Sequence, residues 1–225
     1  MKAIAVRLFW VACLLLVTNF SYALEFKQKD NVVLVSGSSI DFVDVGRFEK
    51  ALASGVDTIV FYKIGGSRID LLSSIGRMIQ KAHVTTVASD SCGPSCAFLF
   101  MAGEQRLVGF FPAKTIQDPI FLIMAGARIE GTESDAHDTG SFAYFKDRFS
   151  SNMPHDLLNR YTTGGKGGHL MLFAWPSVAF PEGQLAECQI SSDKKGITCS
   201  PVSDLTPLQV GAITSATPYA IEIDE

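Results

Sequence analysis

The alternation of short apolar runs with segments of helical periodicity limits the fold of this chain more than any other feature. It predicts strands at 32–35, 57–64 and 84–89 and helices at 41–54 and 68–82. The second strand, "DTIVFYKI", is apolar for most of its length, as expected of a strand covered on both faces. Strands that alternate with helices in this order favour an α/β domain with a parallel sheet.

A third helix is expected at 96–102, where "CAFLFMA" is apolar on every side and therefore typical of a fully buried helix. It follows a turn at Cys92-Gly93-Pro94, which places Ser95 at its start. The pair Gly65-Gly66 ends the second predicted strand. Because ligands of parallel sheets bind outside the carboxyl ends of the strands, we expect Ser95 and the glycine pair to be neighbours.

The chain beyond residue 103 is less regular, and we expect its C-terminal part to be mainly helical. A single domain is expected for 225 residues. The elements predicted here are a strand at 105–110, a second strand at 115–127 broken by Pro119, a polar exposed loop at 126–140, a helix from 141 to about 161 divided by Pro154, a flexible connector at 162–170 and a late helix capped by Thr206 with Pro207 at its first position.

The first 23 residues have the pattern of a secretory signal peptide. Lys2 and Arg7 precede an apolar run at 8–17, and "SYA" supplies small residues for the cut. A membrane anchor is the alternative, but the run is shorter than the roughly 20 residues of a bilayer span. Removing the signal takes away two of 19 basic and none of 23 acidic residues, which leaves a net charge of −6. We therefore expect a periplasmic or secreted protein with no nucleic-acid partner and no stable membrane span.

Four cysteines remain after this cut: Cys92, Cys96, Cys188 and Cys199. An even number in an exported chain indicates two disulfides, for which three pairings exist. The local pairing, 92 with 96 and 188 with 199, closes the shortest loops. A zinc site is the alternative, but neither spacing is a CxxC and no histidine is near in sequence, so we expect neither metal nor cofactor.

The residue types around Ser95 fit an oxyanion-binding site. Glycines at a strand end let backbone N–H groups approach a ligand, and a helix start points its unpaired N–H groups the same way. One donor would come from Gly65 or Gly66 and one from Cys96, with Ser95 as the nucleophile. The alternative interpretation is a serine that caps the helix and a glycine pair that makes a tight turn.

The combination of "IVFYKIGGS", a helix containing "IGRMI" and "VTTVASDSCGPSCAFLFMAGEQRLV" resembles the Clp proteases of the crotonase superfamily, and among them the exported relatives. The resemblance covers about residues 30–120, and "DLTPLQVGAIT" is similar to a late helix of that fold. It implies a crotonase-type ββα superhelix with a parallel sheet and self-association into oligomers. It also implies Ser95 as the nucleophile position and Gly65, Gly66 and Cys96 as backbone donors.

The resemblance further implies a general-base histidine at the end of the next strand, and the chain departs from the family there. Asp118 is the residue nearest to that position, and none of the four histidines fits it. A carboxylate with a pKa near 4 is a poor base for a serine hydroxyl. The substitutes considered are His137, Lys63 and Lys114, with Asp204 as the late acid.

The missing base favours a catalytically impaired relative that acts in binding or assembly, with a peptide or an envelope protein as partner. The alternative is a secreted serine peptidase or hydrolase that uses Ser95 and a non-standard base. A third hypothesis is an acyl-CoA enzyme of the crotonase type. Export makes this hypothesis less favourable, because the thioester cofactor is cytosolic.

Overall fold

The computed structural model describes residues 24–89, 92–112, 121–125, 147–156, 158, 169–174, 183–190, 197–202 and 205–223. These residues form three main helices and ten strands. The helices are α1 (Phe42–Ala53), α2 (Ile69–Ala82) and α3 (Pro94–Met101). The strands are β1 (Glu25–Lys29), β2 (Val32–Ile40), β3 (Thr58–Ser67), β4 (Thr85–Ser89), β5 (Gln105–Phe110), β6 (Phe121–Ala125), β7 (His169–Ala174), β8 (Gln184–Ile190), β9 (Ile197–Pro201) and β10 (Tyr219–Ala220).

The central sheet has six strands in the order β1-β2-β3-β4-β5-β10. β1 pairs with β2 in the antiparallel direction, and every other pair is parallel. The strands and helices predicted up to residue 110 are all present. This order confirms the predicted α/β class with a parallel sheet, because each parallel pair from β2 to β5 is joined by a helix.

A second sheet was not predicted. β6, β7, β8 and β9 form an antiparallel sheet in that order, so the described part of the C-terminal region is built largely of strands, and the expectation of a mainly helical part was wrong. Leu185 of β8 belongs to the same buried cluster as α3, which joins the two sheets through one core. The prediction of a flexible connector at 162–170 was wrong for its last two residues, because His169 and Leu170 belong to β7.

The predicted helix from 141 to about 161 is interrupted. Residues 147–153 form turns, and helical structure is described only at 155, 156 and 158, after Pro154. The backbone of this segment bonds to the C-terminal region instead, since the Ser150 N–H donates to the Val210 carbonyl at 2.9 Å. Tertiary hydrogen bonds have therefore replaced the helical ones.

The late segment keeps its predicted cap without a regular helix. The N–H of Gln209 donates to the Thr206 hydroxyl, and the N–H of Thr206 donates to the Gln209 side chain, which is a reciprocal capping pattern. Residues 207–211 then form turns rather than the helix that was predicted. Gly211 ends the segment with a φ of 76°, a left-handed conformation suited to glycine.

Helix α3 lies at the centre of the core. Its residues from Ser95 to Met101 are all buried, as predicted. Gly76 of α2 permits the close contact with α3, since a Cβ there would lie 3.1 Å from the Phe98 ring.

Within the described ranges, no helix has the length and apolar character needed to cross a membrane. The predicted signal peptide and the polar loop at 126–140 lie outside the described residues.

Candidate functional site

Ser95 is the second residue of α3 and is only 9% exposed. The N-cap position belongs to Gly93, and the helix start has no side-chain cap hydrogen bond, so the interpretation of Ser95 as the helix cap is wrong. None of the described residues forms a hydrogen bond with the Ser95 hydroxyl. A buried polar group without a partner among the described residues is uncommon in folded proteins.

The local sequence explains why the helix begins here. Pro94 occupies the first helical position, where its fixed φ suits the helix and its missing N–H costs nothing. The Gly93 carbonyl accepts the N–H of Ala97 at 2.8 Å, which closes the first turn. The disulfide between Cys92 and Cys96, with an S–S distance of 2.03 Å, joins the preceding turn to the helix, as in the local one of the three possible pairings.

The electrostatics of this helix start favour a negative charge. The first turn of α3 contains no acidic residue. Unpaired N–H groups and the helix dipole therefore make this end positive, without a neutralising carboxylate on the helix itself. The Cys96 N–H, the predicted donor on the helix, lies in this first turn, as an oxyanion site requires.

The prediction that β3 stops at the glycine pair was wrong. The strand continues through Gly65 and Gly66 to Ser67 and stays paired with β2, with Ser39 opposite Gly66. The register shifts just before the pair, because Lys63 is an extra residue with a φ of 52°. This β-bulge turns the end of the strand without ending its pairing.

The two glycines of the pair have different surroundings. A Cβ on Gly65 would lie 1.8 Å from the carbonyl oxygen of Ser38 on β2, so the close approach of the strands requires glycine. A Cβ on Gly66 would meet nothing within 4 Å, and the residue is exposed. Among the described residues, none packs so closely that position 66 requires glycine. Gly66 is therefore the better candidate for a residue whose backbone a ligand could approach.

The end of β3 extends beyond its neighbour β4. β4 ends at Ser89, opposite Tyr62, whereas β3 runs five residues further to Ser67. In the described part of the chain, the section 63–67 therefore has β2 as its only strand neighbour. α3 packs against β3. That the glycine pair lies beside Ser95 stays a prediction.

The remaining candidates do not assemble around Ser95 within the described structure. Asp118, His137, Lys114 and Asp204 lie outside the described residues. The Lys63 ammonium lies 4.7 Å from the ring centroid of Tyr62. Tyr62 belongs to the cluster on the face of the sheet opposite to α3, and this position does not favour Lys63 as a base for the serine.

Two residues that the sequence did not single out fix the far end of α3. The Thr86 hydroxyl donates to the Phe100 carbonyl at 2.7 Å. The buried Arg106 guanidinium donates to the Gly103 carbonyl at 2.9 Å and to the Gly211 carbonyl at 2.8 Å. Burial, followed by the charge of Arg148, lowers the pKa of Arg106 to about 10, so the guanidinium stays charged at neutral pH. The helix is therefore held at both ends.

The second disulfide joins Cys188 of β8 to Cys199 of β9, which face each other across the antiparallel pair. The two predicted disulfides are therefore present, and of the three possible pairings the local one is formed. Because all four sulfur atoms are engaged in disulfides, the alternative of a zinc site built from these cysteines does not apply.

No protein-family model matches the sequence, and no curated protein matches it. Among solved structures, the chain is similar to an enoyl-CoA hydratase from Mycobacterium avium subsp. paratuberculosis, at 14% identity, with a TM-score of 0.32 over 40% of this chain and 46% of that one. It therefore spans less than half of that enzyme's length.

Two further solved proteins show a likeness of the same kind. One is a monofunctional enoyl CoA isomerase from M. smegmatis, at 14% identity, with a TM-score of 0.40 over 64% of this chain and 69% of that one. The other is the 1510-N membrane-bound stomatin-specific protease in complex with a substrate peptide, at 11% identity, with a TM-score of 0.39 over 57% and 63%. These are partial likenesses of fold between an α/β chain and enzymes of two different activities.

Proposed function

We propose that this chain is an exported domain of the Clp-protease and crotonase type that binds extended peptide segments of an envelope protein and no longer hydrolyses them. The proposal rests on one observation above all: the buried Ser95 hydroxyl forms no hydrogen bond with any described residue. A general base must lie within about 2.6–3.2 Å of the hydroxyl whose proton it takes. The two disulfides support export, since such bonds persist in oxidising compartments.

The end of β3 supplies the binding surface. An edge strand presents backbone N–H and C=O groups to which an extended peptide can add as a further strand. The section 64–67 lies beyond the end of β4, and α3, whose start is positive, packs against β3. That helix start would receive a carboxylate or a polarised carbonyl of the peptide. Assembly of several copies would place several such edges in one particle.

A fluorophosphonate probe tests the loss of hydrolysis. The mature chain, residues 24–225, is incubated with the probe and analysed by intact mass beside an active serine hydrolase. We expect no labelling. Labelling that disappears in Ser95→Ala but persists in Ser89→Ala, a variant at another buried serine, would establish the alternative, a serine hydrolase with a base from outside the described residues.

A second experiment tests the binding edge. Gly66→Val places a branched side chain in the open space on β3, and Gly46→Val places the same side chain in open space on α1. Phage-displayed peptides selected on the wild type should bind the Gly46 variant unchanged and lose about tenfold in affinity for the Gly66 variant, the equivalent of one main-chain contact. Equal binding to both variants would remove β3 from the binding surface.

A further inference from the structure

The first residue after the predicted signal peptide is held by a buried carboxylate. Leu24 is 1% exposed, and its backbone nitrogen lies 3.5 Å from Oδ2 of Asp44. The Asp44 side chain is fully buried. A carboxylate in such a place needs hydrogen-bond donors and positive charge around it.

Two side chains on α1, those of Asp44 and Arg47, bind the two backbone groups of Leu24. Oδ2 of Asp44 also accepts the N–H of Asp41 at 3.0 Å, as part of a capping box. Oδ1 lies 3.3 Å from Nη1 of Arg47, and the same nitrogen donates to the Leu24 carbonyl. The Arg47 guanidinium carbon is 4.5 Å from the centroid of the Phe26 ring, which fixes its position. The backbone nitrogen and the carbonyl oxygen of Leu24 are therefore bound by two side chains one helical turn apart.

We propose that the α-ammonium group of Leu24, released when the Ala23–Leu24 bond is cut, forms an ion pair with the buried carboxylate of Asp44. In the cut, water adds across the peptide bond, Ala23 keeps the carboxylate and Leu24 keeps the amine, which takes up a proton at neutral pH. One neutral N–H donor thereby becomes a charged group with three donors. Asp44 is buried before and after the cut, so its desolvation adds no new cost, and the attraction between the two charges offsets the desolvation of the ammonium.

The burial of Leu24 also sets the order of events. A peptidase needs the chain accessible on both sides of the bond it cuts, and the fold buries the residue on one side. The cut therefore precedes folding, and the amine is enclosed as the domain forms. An amine one residue away would be displaced by about 3.8 Å along the chain, so the pair favours a cut at this bond over its neighbours.

The charged groups that face the Leu24 nitrogen from α1 are Asp44 and Arg47. On β1, which continues directly from Leu24, Glu25 pairs with Lys27 at 3.6 Å in an exposed position. The buried Asp44 carboxylate is thus the acidic group that contacts this nitrogen in the described structure.

The first test is the mass of the exported product. The full chain is expressed with its own N-terminus, and the envelope fraction is analysed by intact mass and N-terminal sequencing. Leu24 should be the first residue, and a product that begins elsewhere contradicts the proposal. Since this test rests on the proposed export, fractionation separates the two failures: an uncut chain in the cytoplasm counts against export, and a chain cut at another bond counts against the pair.

The second test does not depend on export. Four chains are compared by urea unfolding: starts at Leu24 or at Ala23, each with Asp44 or with Asp44→Asn. Starting at Ala23 restores the amide at Leu24, and it should lower the folding equilibrium constant roughly tenfold with Asp44 and only slightly with Asp44→Asn. Equal losses in both backgrounds overturn the proposal. Asp41→Asn is the matched control, because it disturbs the same capping box without contacting Leu24, and it should keep the full effect.

If Asp44→Asn does not fold, the wild type alone decides. Leu24 is labelled uniformly with ¹³C and ¹⁵N, and its α-amine is titrated by NMR through the chemical shift of its Cα. A pKa above the ordinary range of about 7.7–8.0 for an α-amine supports the ion pair, and a value within or below that range overturns it.

Discussion

Alanine at position 65 should damage the fold severely, and alanine at position 66 should leave it intact. A Cβ on Gly65 would lie 1.8 Å from the Ser38 carbonyl oxygen and 2.4 Å from its carbon. Carbon and oxygen atoms rarely approach closer than about 3.3 Å, so β2 and β3 would have to separate by about 1.5 Å. Because the obstacle is backbone, no side-chain rotation can relieve it.

The magnitude follows from two contributions. Forcing an extra carbon into a packed region costs about 1–3 kcal/mol. Separating the strands also weakens neighbouring ladder hydrogen bonds, each worth about 1 kcal/mol net. We therefore expect Gly65→Ala to lower the free energy of unfolding by about 3–5 kcal/mol, a large share of the total for a domain of this kind. Gly66→Ala should change it by less than about 1 kcal/mol, in the stabilising direction, because alanine restricts the unfolded chain.

Urea unfolding followed by circular dichroism measures both values, with intact disulfides in every sample. Neither glycine has a positive φ, so the difference between the variants reports the contact with Ser38 rather than backbone strain. Similar stabilities for Gly65→Ala and Gly66→Ala would refute the close approach of β2 and β3. Gly66→Ala also gives a folded protein in which the site can be probed.

Three other predictions concern the supports of the fold. Removing the bond between Cys188 and Cys199, which are 11 residues apart, should cost about 3 kcal/mol of unfolding free energy by loop-closure entropy, measured by urea unfolding of the double serine variant. Arg106→Met should cost about 3–5 kcal/mol, because it leaves buried carbonyl groups without donors, whereas a loss below 1 kcal/mol would contradict this role. Burial, with the charges of Asp57 and Glu222, raises the pKa of Tyr219. Stability from this group is present below pH 10 and is lost as the pH rises through the folded-state pKa, so Tyr219→Phe should flatten the alkaline loss seen in thermal melts.

The first half of the fold could be predicted because its periodicities are strong and local. The helix at 69–82 has a clear apolar face, β3 is largely an apolar run of strand length, and β4 is a short segment rich in β-branched residues. Most of the later segments could not be predicted, because contacts distant in sequence determine their secondary structure. Ser150 bonds to Val210 rather than to its own helical turn, and this partner is invisible in a local pattern.

The candidate site shows the same limit at the scale of single residues. A glycine pair after an apolar strand is a good turn signal, but pairing with β2 keeps both glycines in the strand. The sequence pattern also does not distinguish the two glycines. In the structure, the Ser38 carbonyl requires glycine at position 65, whereas the space around position 66 is open. The only sequence signal for Arg106 is a basic residue within the predicted strand "QRLVGF", and the Gly211 carbonyl to which it donates lies 105 residues further along the chain.

The attachment of α3 at both ends bears on what Ser95 can do. Thr86 and Arg106 fix the end of the helix, and the disulfide between Cys92 and Cys96 fixes its start. Since that disulfide closes a loop of only four residues, its entropic contribution to global stability is smaller than that of the second bond, and its main effect is local order at the first turn. A serine on such a rigid turn cannot move towards a distant base. A base would have to be brought to it by another segment.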